Sequence, residues 1–459
     1  MTPLARELEQ LLDPGDRLLD PADCWTYGAD NSKLHAVPDG VAFPRDADTV
    51  RELVRLCRRL GVALTSRGRG TGTTGAAVPD HGGLVVSFER MNRILEVDPE
   101  NRWLIAEPGA TNGEVQEAAG AHGFFWPPDP TSSAYCTLGG NLAYNSAGPH
   151  AVKYGTPRDN TLGLAAVAGT GEAFRTGVHT TKGVVGYDLT RLLIGSEGTL
   201  AVTTEATLRL TPRPEATRLI QAVYRDVGDA ARAVSRLMAR AEIPSALEFM
   251  DHSAIAMIRD YDPECPLPAD AGAILMIETD GTEAGIDATT NGIRRAAEGD
   301  GCLETRGADT PEAAQALWAV RKALSPALRT VAPKKINEDV VVPVSRIPEL
   351  IGGLDRLATE HAIKIVNFGH AGNGNIHVNL LVNPDDPAEL AAAERCLDGV
   401  FTLVLALGGT LSGEHGIGLV KRPYVARELD PVALRLMAGI KREFDPDNIL
   451  NPGKAPSPG

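Results

Sequence analysis

Apolar positions recur along this chain with two periods, and the switches between them mark its elements. Over 48–60, Val50, Leu53, Val54, Cys57 and Leu60 fall three or four residues apart, which predicts one buried helix face. Residues 62–66 read as a strand entering a glycine loop, and 84–88, 94–97 and 103–107 are further short strands. A helix is expected over 111–122, then a Pro-, Gly- and Asn-rich tract over 126–160 and a strand over 200–210. Thr211-Pro-Arg-Pro214 follows, and its two prolines make it the best linker candidate. Beyond it come strand 218–224, helix 227–240, strands 246–250 and 273–278 and helix 285–297, the order of a split βαβ sandwich. Helix 310–330, strand 363–368 and helices 387–407 and 433–444 complete an α+β chain.

Composition narrows the class. The 459 residues are 43% hydrophobic and 23% charged, without repeats or low-complexity tracts, so several globular domains are expected. A net charge of -15 with no basic stripe argues against a nucleic-acid partner. Cys24, Cys57, Cys136, Cys265, Cys302 and Cys396 lie far apart, with no Cys-x-x-Cys pair, which excludes an iron–sulfur cluster of the usual spacing and reads as a reduced cytoplasmic chain. The N-terminus lacks the apolar core of a signal peptide, and no apolar run approaches the roughly 18 residues of a membrane span. Peripheral contact at the inner membrane stays open, as does a homodimer.

The strongest chemical signal is His370-Ala-Gly-Asn-Gly-Asn-Ile-His377, followed later by Ser412-Gly-Glu-His-Gly-Ile-Gly418. On one continuous strand the two imidazoles would point to opposite faces, and the intervening glycines and asparagines disfavour a helix. A strand, tight turn and returning strand would bring them together. Glu414 is a candidate third ligand, with His415 left over. Two His and a carboxylate make a common open metal site, for zinc first and for manganese or iron by the same donor chemistry. The duller alternative is a pair of polar turn residues.

A second signal is glycine. Arg67-Gly-Arg-Gly-Thr-Gly-Thr-Thr-Gly75 matches G-x-G-x-x-G, but Pro79 and two glycines follow where a Rossmann helix would start. The loop keeps the ability to cradle phosphate with backbone N–H groups. Further glycine-rich tracts lie at 130–141, 145–148, 153–156 and 195–200. Several such loops without a P-loop lysine suggest a large extended cofactor.

On these motifs the chain resembles the vanillyl-alcohol oxidase/p-cresol methylhydroxylase flavoproteins, in the branch of D-lactate dehydrogenase, D-2-hydroxyglutarate dehydrogenase and the glycolate oxidase FAD subunit. The resemblance implies a two-part FAD-binding domain of the p-cresol methylhydroxylase type (1–213), a ferredoxin-like substrate domain carrying the metal site (214–430) and a C-terminal segment returning to the FAD domain (431–459). FAD contacts are implied at Arg67, Gly68, Arg69, Gly70, Thr71, Gly72, Thr73, Pro130, Thr131, Gly139, Gly140, Asn141, Asn145, Gly148, Tyr154, Gly155, Glu197, Gly198 and Asn451. Thr71 stands where relatives with covalent FAD often carry His, so non-covalent FAD is expected. His370, His377 and Glu414 are implied as metal ligands and His415 as the base. Arg321, Ser325, Lys335 and Asn379 are implied at the substrate.

The reaction implied is oxidation of a D-2-hydroxy acid, with hydride passing to flavin N5 and electrons onward to a quinone, a cytochrome or an electron-transfer flavoprotein. The stretch 333–339 matches the branch poorly, and with Lys334 or Lys335 displaced a short monocarboxylate such as D-lactate is favoured over D-2-hydroxyglutarate or glycolate. Each role has a plainer competitor: Arg321 as a solvated helix residue, Glu197 as a helix cap, His415 as a turn residue, Glu414 as a group that only orients a ligand. A His/His/Glu metal hydrolase is the alternative from another class. His35, His81, His122 and His150 receive no role.

Overall fold

A computed structural model describes residues 2–262, 267–308 and 310–454, with part of the side chains in the helix Pro311–Val331; Cys265 and the Ser325 side chain lie outside the described residues. By internal contacts the chain divides into two units, Met1–Gly148 with Gly155–Arg213 and Glu414–Gly459, and Pro149–Tyr154 with Pro214–Gly413. The return to the first unit thus comes at Glu414, not at residue 431 as the sequence reading places it, and a hexapeptide from the expected first domain belongs to the second unit.

The first unit holds two larger sheets and a two-stranded one. In one, Gly40–Ala42 and Leu64–Arg67 run parallel on either side of Leu84–Ser87. The helix Ala47–Leu60 joins the outer two. Asp46 caps its first turn, Gly61 ends it at φ 64°, and it buries Val50, Leu53, Val54, Leu56 and Cys57. The other larger sheet is antiparallel, in the order Ile94–Asp98, Trp103–Ala106, Ala201–Arg209, Thr161–Ala168, Ala173–Gly177. Thr161–Ala168 escapes the hydrophobic pattern because small residues dilute its alternation. The proposed linker begins in the sheet system: Thr211–Pro212 pairs with Phe124–Phe125.

The C-terminal helix Pro431–Phe444 is fastened by a buried ion pair. Lys441 Nζ donates to Asp445 Oδ2 at 2.5 Å and to the carbonyls of Thr199 (2.7 Å) and Leu450 (2.9 Å), while Asp445 accepts the amides of Ile449 and Leu450. Burial lowers the Lys441 pKa, and Asp445 opposes that shift. Lys441→Met leaves the carboxylate without its cation in a buried site, so it should destabilise the protein by about 3–5 kcal/mol. Urea unfolding checks this, and a loss under 1 kcal/mol contradicts it.

The second unit is a seven-stranded sheet built from β1 (Ala216–Tyr224), β2 (Ala246–Asp251), β3 (Ala273–Gly281), β4 (Cys302–Ala308), β5 (Lys334–Val341), β6 (Lys364–His370) and β7 (Asn375–Val382). Its order is β4-β1-β3-β2-β6-β7-β5, and every pair is antiparallel. The first four strands have the split βαβ arrangement expected, with helices α1 (Val227–Met238) and α3 (Ile286–Ala297) as crossovers. The other three strands widen the sheet beyond that unit. Helices α2 (His252–Tyr261) and α4 (Pro311–Val331) pack against the face carrying Val223, Met250, Ile274, Met276 and Phe368. Helices α1, α3, α5 (Ile347–His361) and α6 (Pro387–Ala406) contact the sheet as well.

The strands that the sequence pattern misses, β4 and β5, are the two edges. Lys334 and Lys335 are exposed, as an edge strand tolerates, whereas Glu338 and Asp339 are buried, and the four charges together hide the alternation of β5.

Candidate active site

The histidine motif folds as strand, turn and strand. β6 ends at His370, Ala371–Asn373 makes a 3-10 turn, and β7 starts at Asn375. Between them Gly374 sits at φ 71°, and a Cβ there would strike the Val342 carbonyl, so the turn needs glycine. Phe368 pairs with His377 and His370 with Asn375. Directly opposed residues share a face, as do residues two apart, so both imidazoles emerge on the same side of the sheet. Their Nε2 atoms are 3.4 Å apart with the rings nearly perpendicular at 84°, and both residues are buried.

Glu248, on β2, pairs in register with His370, and its Oε1 accepts a hydrogen bond from His370 Nδ1. Burial raises the Glu248 carboxyl pKa, but His370, Arg321 and His377 outweigh that and bring it below the usual carboxylate value. This residue is absent from the sequence-derived set. The available signal was a lone charge inside the apolar run Ala246-Leu-Glu-Phe-Met250 of a central strand.

Arg321, on α4, is no solvated residue. Its Nε lies 3.4 Å from Glu248 Oε2, its Cζ is 4.4 Å from the centroid of the Phe368 ring, and its side chain is 20% exposed. Asn379 Nδ2 donates to the carbonyls of Val366 (2.9 Å) and His377 (3.1 Å), while its buried Oδ1 has no partner among the described residues. On β5, Asn337 faces Asn379 and Asp339 faces His377, so by alternation Lys335, not Lys334, shares the histidine face. Lys335 stands about 13 Å along the strand from Asp339.

Asp339 also anchors the chain leading to the second motif. Ser412 Oγ donates to Asp339 Oδ1 (3.0 Å), and the Gly413 amide donates to its Oδ2 (2.9 Å). Glu414 follows by one peptide bond and belongs to the first unit. There its Oε2 accepts the Gly148 amide at 2.8 Å. The loop carrying His415 is held from two directions: Thr74 Oγ1 donates to the His415 carbonyl (3.2 Å), and Glu197 accepts the amides of Ile417 (2.6 Å) and Gly418 (2.9 Å). Glu197 is thus a loop clamp and not a helix cap.

The glycine tracts meet within the first unit. The loop after Arg67 carries Gly68, Arg69, Gly70, Thr71, Gly72 and Thr73, and a Cβ on Gly72 would collide with the Tyr144 ring of the helix Leu138–Tyr144. That helix holds Gly139, Gly140 and Asn141, and Thr137 caps it. The Pro130 carbonyl closes a turn with Ser133 N, with Thr131 inside it. Several other expected cofactor contacts have side chains occupied elsewhere. Arg67 donates to the Ala29 carbonyl (2.6 Å), Asn145 accepts the Arg158 amide (3.0 Å), and Asn451 donates to the carbonyls of Ala76 and Glu197 (2.8 Å each). Gly155 and Gly198 stay in the first unit, whereas Tyr154 belongs to the second, where its hydroxyl donates to Asp280.

A cavity of about 350 Å³ is lined by Gly70 and Thr71 together with Ala29, Asp30, Asn31, Lys33 and Ser132; the five last are not among the expected contacts. Ser66 Oγ and Thr73 Oγ1, at the two ends of the glycine loop, are buried without a partner among the described residues. Buried hydroxyls left unsatisfied beside such a loop fit a polar ligand there.

A family model for the FAD-linked oxidase C-terminal domain matches residues 213–455, and one for an FAD-binding domain matches residues 38–177. The chain belongs to the FAD-linked oxidases. It is 38% identical to the glycolate oxidase subunit GlcD of Bacillus subtilis, over 94% of this chain and 91% of the relative. It is 34% identical to a D-lactate dehydrogenase of Anaerostipes hadrus (91% and 90%) and 31% identical to a D-2-hydroxyglutarate dehydrogenase of Stutzerimonas stutzeri (98% and 98%). Among solved structures, p-cresol methylhydroxylase shares the fold of this FAD-linked oxidase at a TM-score of 0.81, with 18% identity over 99% of this chain and 96% of that one. Among the described residues, no helix is long and apolar enough to cross a membrane.

Proposed function

We propose that this FAD-linked oxidase dehydrogenates a D-2-hydroxy acid to the 2-oxo acid, with D-lactate as the first substrate, and that His370, His377 and Glu414 hold a divalent metal ion. The observation that carries this reading is the buried histidine pair with its Nε2 atoms 3.4 Å apart, in a chain whose relatives bear the names of 2-hydroxy-acid enzymes. Two converging imidazoles backed by a carboxylate are a donor set suited to zinc, manganese or iron.

Bound non-covalently, FAD supplies the hydride acceptor, and the metal ion supplies Lewis acidity toward the hydroxyl and carboxylate oxygens. The protein's own groups do the rest. His415 takes the hydroxyl proton. Arg321 offers the planar, two-point contact that suits the C1 carboxylate. The Oδ1 of Asn379, buried and without a partner among the described residues, suits a hydroxyl donor. Reoxidation of the flavin falls to a quinone, a cytochrome or an electron-transfer flavoprotein.

One observation favours a second substrate. Lys335 on the histidine face provides a cation for a distal carboxylate, as in D-2-hydroxyglutarate. Anaerobic mixing with D-lactate, D-2-hydroxyglutarate, glycolate and the L-enantiomers decides between them. D-lactate is expected to bleach the flavin absorbance fastest and the L-acids to leave it unchanged, and faster bleaching by D-2-hydroxyglutarate would favour the second substrate. A colourless protein, or a bound flavin that no 2-hydroxy acid reduces, defeats the proposal.

A further inference from the structure

In the second unit Glu248 touches both a proposed metal ligand and the arginine proposed for the substrate carboxylate. Glu248 uses one carboxylate oxygen for each: Oε1 accepts from His370 Nδ1, and Oε2 faces Arg321 Nε at 3.4 Å. Its side chain is 5% exposed, between the apolar residues Ala246, Leu247, Phe249 and Met250 of a fully buried strand. A carboxylate in that setting is costly unless its partners require it.

Geometry states what it does for each partner. An imidazole whose Nδ1–H is held by a carboxylate has its lone pair on Nε2, and here Nε2 points toward His377. A guanidinium held at Nε presents its two terminal nitrogens as a fork. The face of Phe368 fixes the plane of that fork, with Arg321 Cζ 4.4 Å from the ring centroid. The two restraints share one side chain.

We infer that Glu248 is a positioning residue that sets the His370 tautomer for the metal and, through the same carboxylate, holds Arg321 for the substrate's C1 carboxylate. The inference rests on the metal reading above. It deepens that reading by linking metal affinity and carboxylate recognition through one group. Loosening Glu248 should therefore weaken zinc and substrate together while FAD stays bound.

Two measurements test it. In the first, zinc affinity of the FAD-loaded protein is determined by chelator competition for wild type and Glu248→Gln, alongside KM and kcat. The variant is expected to bind zinc about 10–100-fold more weakly, with a higher KM and unchanged flavin content. A folded Glu248→Gln protein with wild-type zinc affinity overturns the role of Glu248 alone. Absence of zinc binding by wild type overturns the metal reading itself, and the inference with it. The second measurement needs no variant: ¹⁵N-histidine NMR of the metal-free protein should find His370 as the Nδ1–H tautomer, and the Nε2–H tautomer would overturn the inference even if Glu248→Gln fails to fold.

Discussion

His377→Ala should lose its metal and about a thousandfold of its turnover while keeping FAD. His377 projects from β7 onto the face that His370 shares, so removing one imidazole leaves a single ring of the pair. A lone histidine with one carboxylate holds a divalent ion far less well than the three-ligand set. Lewis-acid stabilisation amounts to several kcal/mol, and each 1.36 kcal/mol is a factor of ten in rate, which sets the size of the loss. The flavin loops lie in the first unit and His377 in the second, so the visible spectrum should keep its wild-type intensity. Elemental analysis and stopped-flow flavin reduction give the two readouts. A variant that retains full metal content and wild-type reduction removes His377 from the site.

His415→Asn tests the proposed base apart from the proposed metal. Its metal and flavin contents should match wild type, while flavin reduction slows by about 10²–10⁴-fold, the usual contribution of a positioned general base. The effect should fall on kcat and leave KM largely intact, since the proton is lost in the transition state. The loop around His415 is held by its own carbonyl to Thr74 and by Glu197 to the amides of Ile417 and Gly418, so the backbone does not depend on the imidazole. A rate within threefold of wild type would return His415 to the status of a turn residue. Loss of metal in this variant would instead make it a ligand.

Much of this molecule is legible from its residues. The period of Val50, Leu53, Val54 and Cys57 predicts the helix that forms, because that stripe must be buried whatever lies opposite. The βαβ order of the second unit follows from its apolar runs, and the Gly-Asn turn between His370 and His377 follows from the positive φ that Gly374 adopts without strain. These are local properties, set by neighbours in the chain.

What needed tertiary structure is set by register and burial. Strand β5 is an edge, and its charge conceals it from the hydrophobic pattern; only its pairing with β7 shows that Lys335 and not Lys334 shares the histidine face. Glu197 is in the sequence an implied FAD contact with a helix cap as its plainer reading, yet its carboxylate closes on amides 220 and 221 residues away. Glu248 becomes meaningful only because β2 lies beside β6, which brings together residues 122 positions apart. Sequence alone determined the family's loops, the histidine turn and the βαβ order, since each is written in local spacing. The identity of each histidine's partner, and which lysine faces it, was decided by strand pairing, because a shift of one residue in register turns every side chain to the other face.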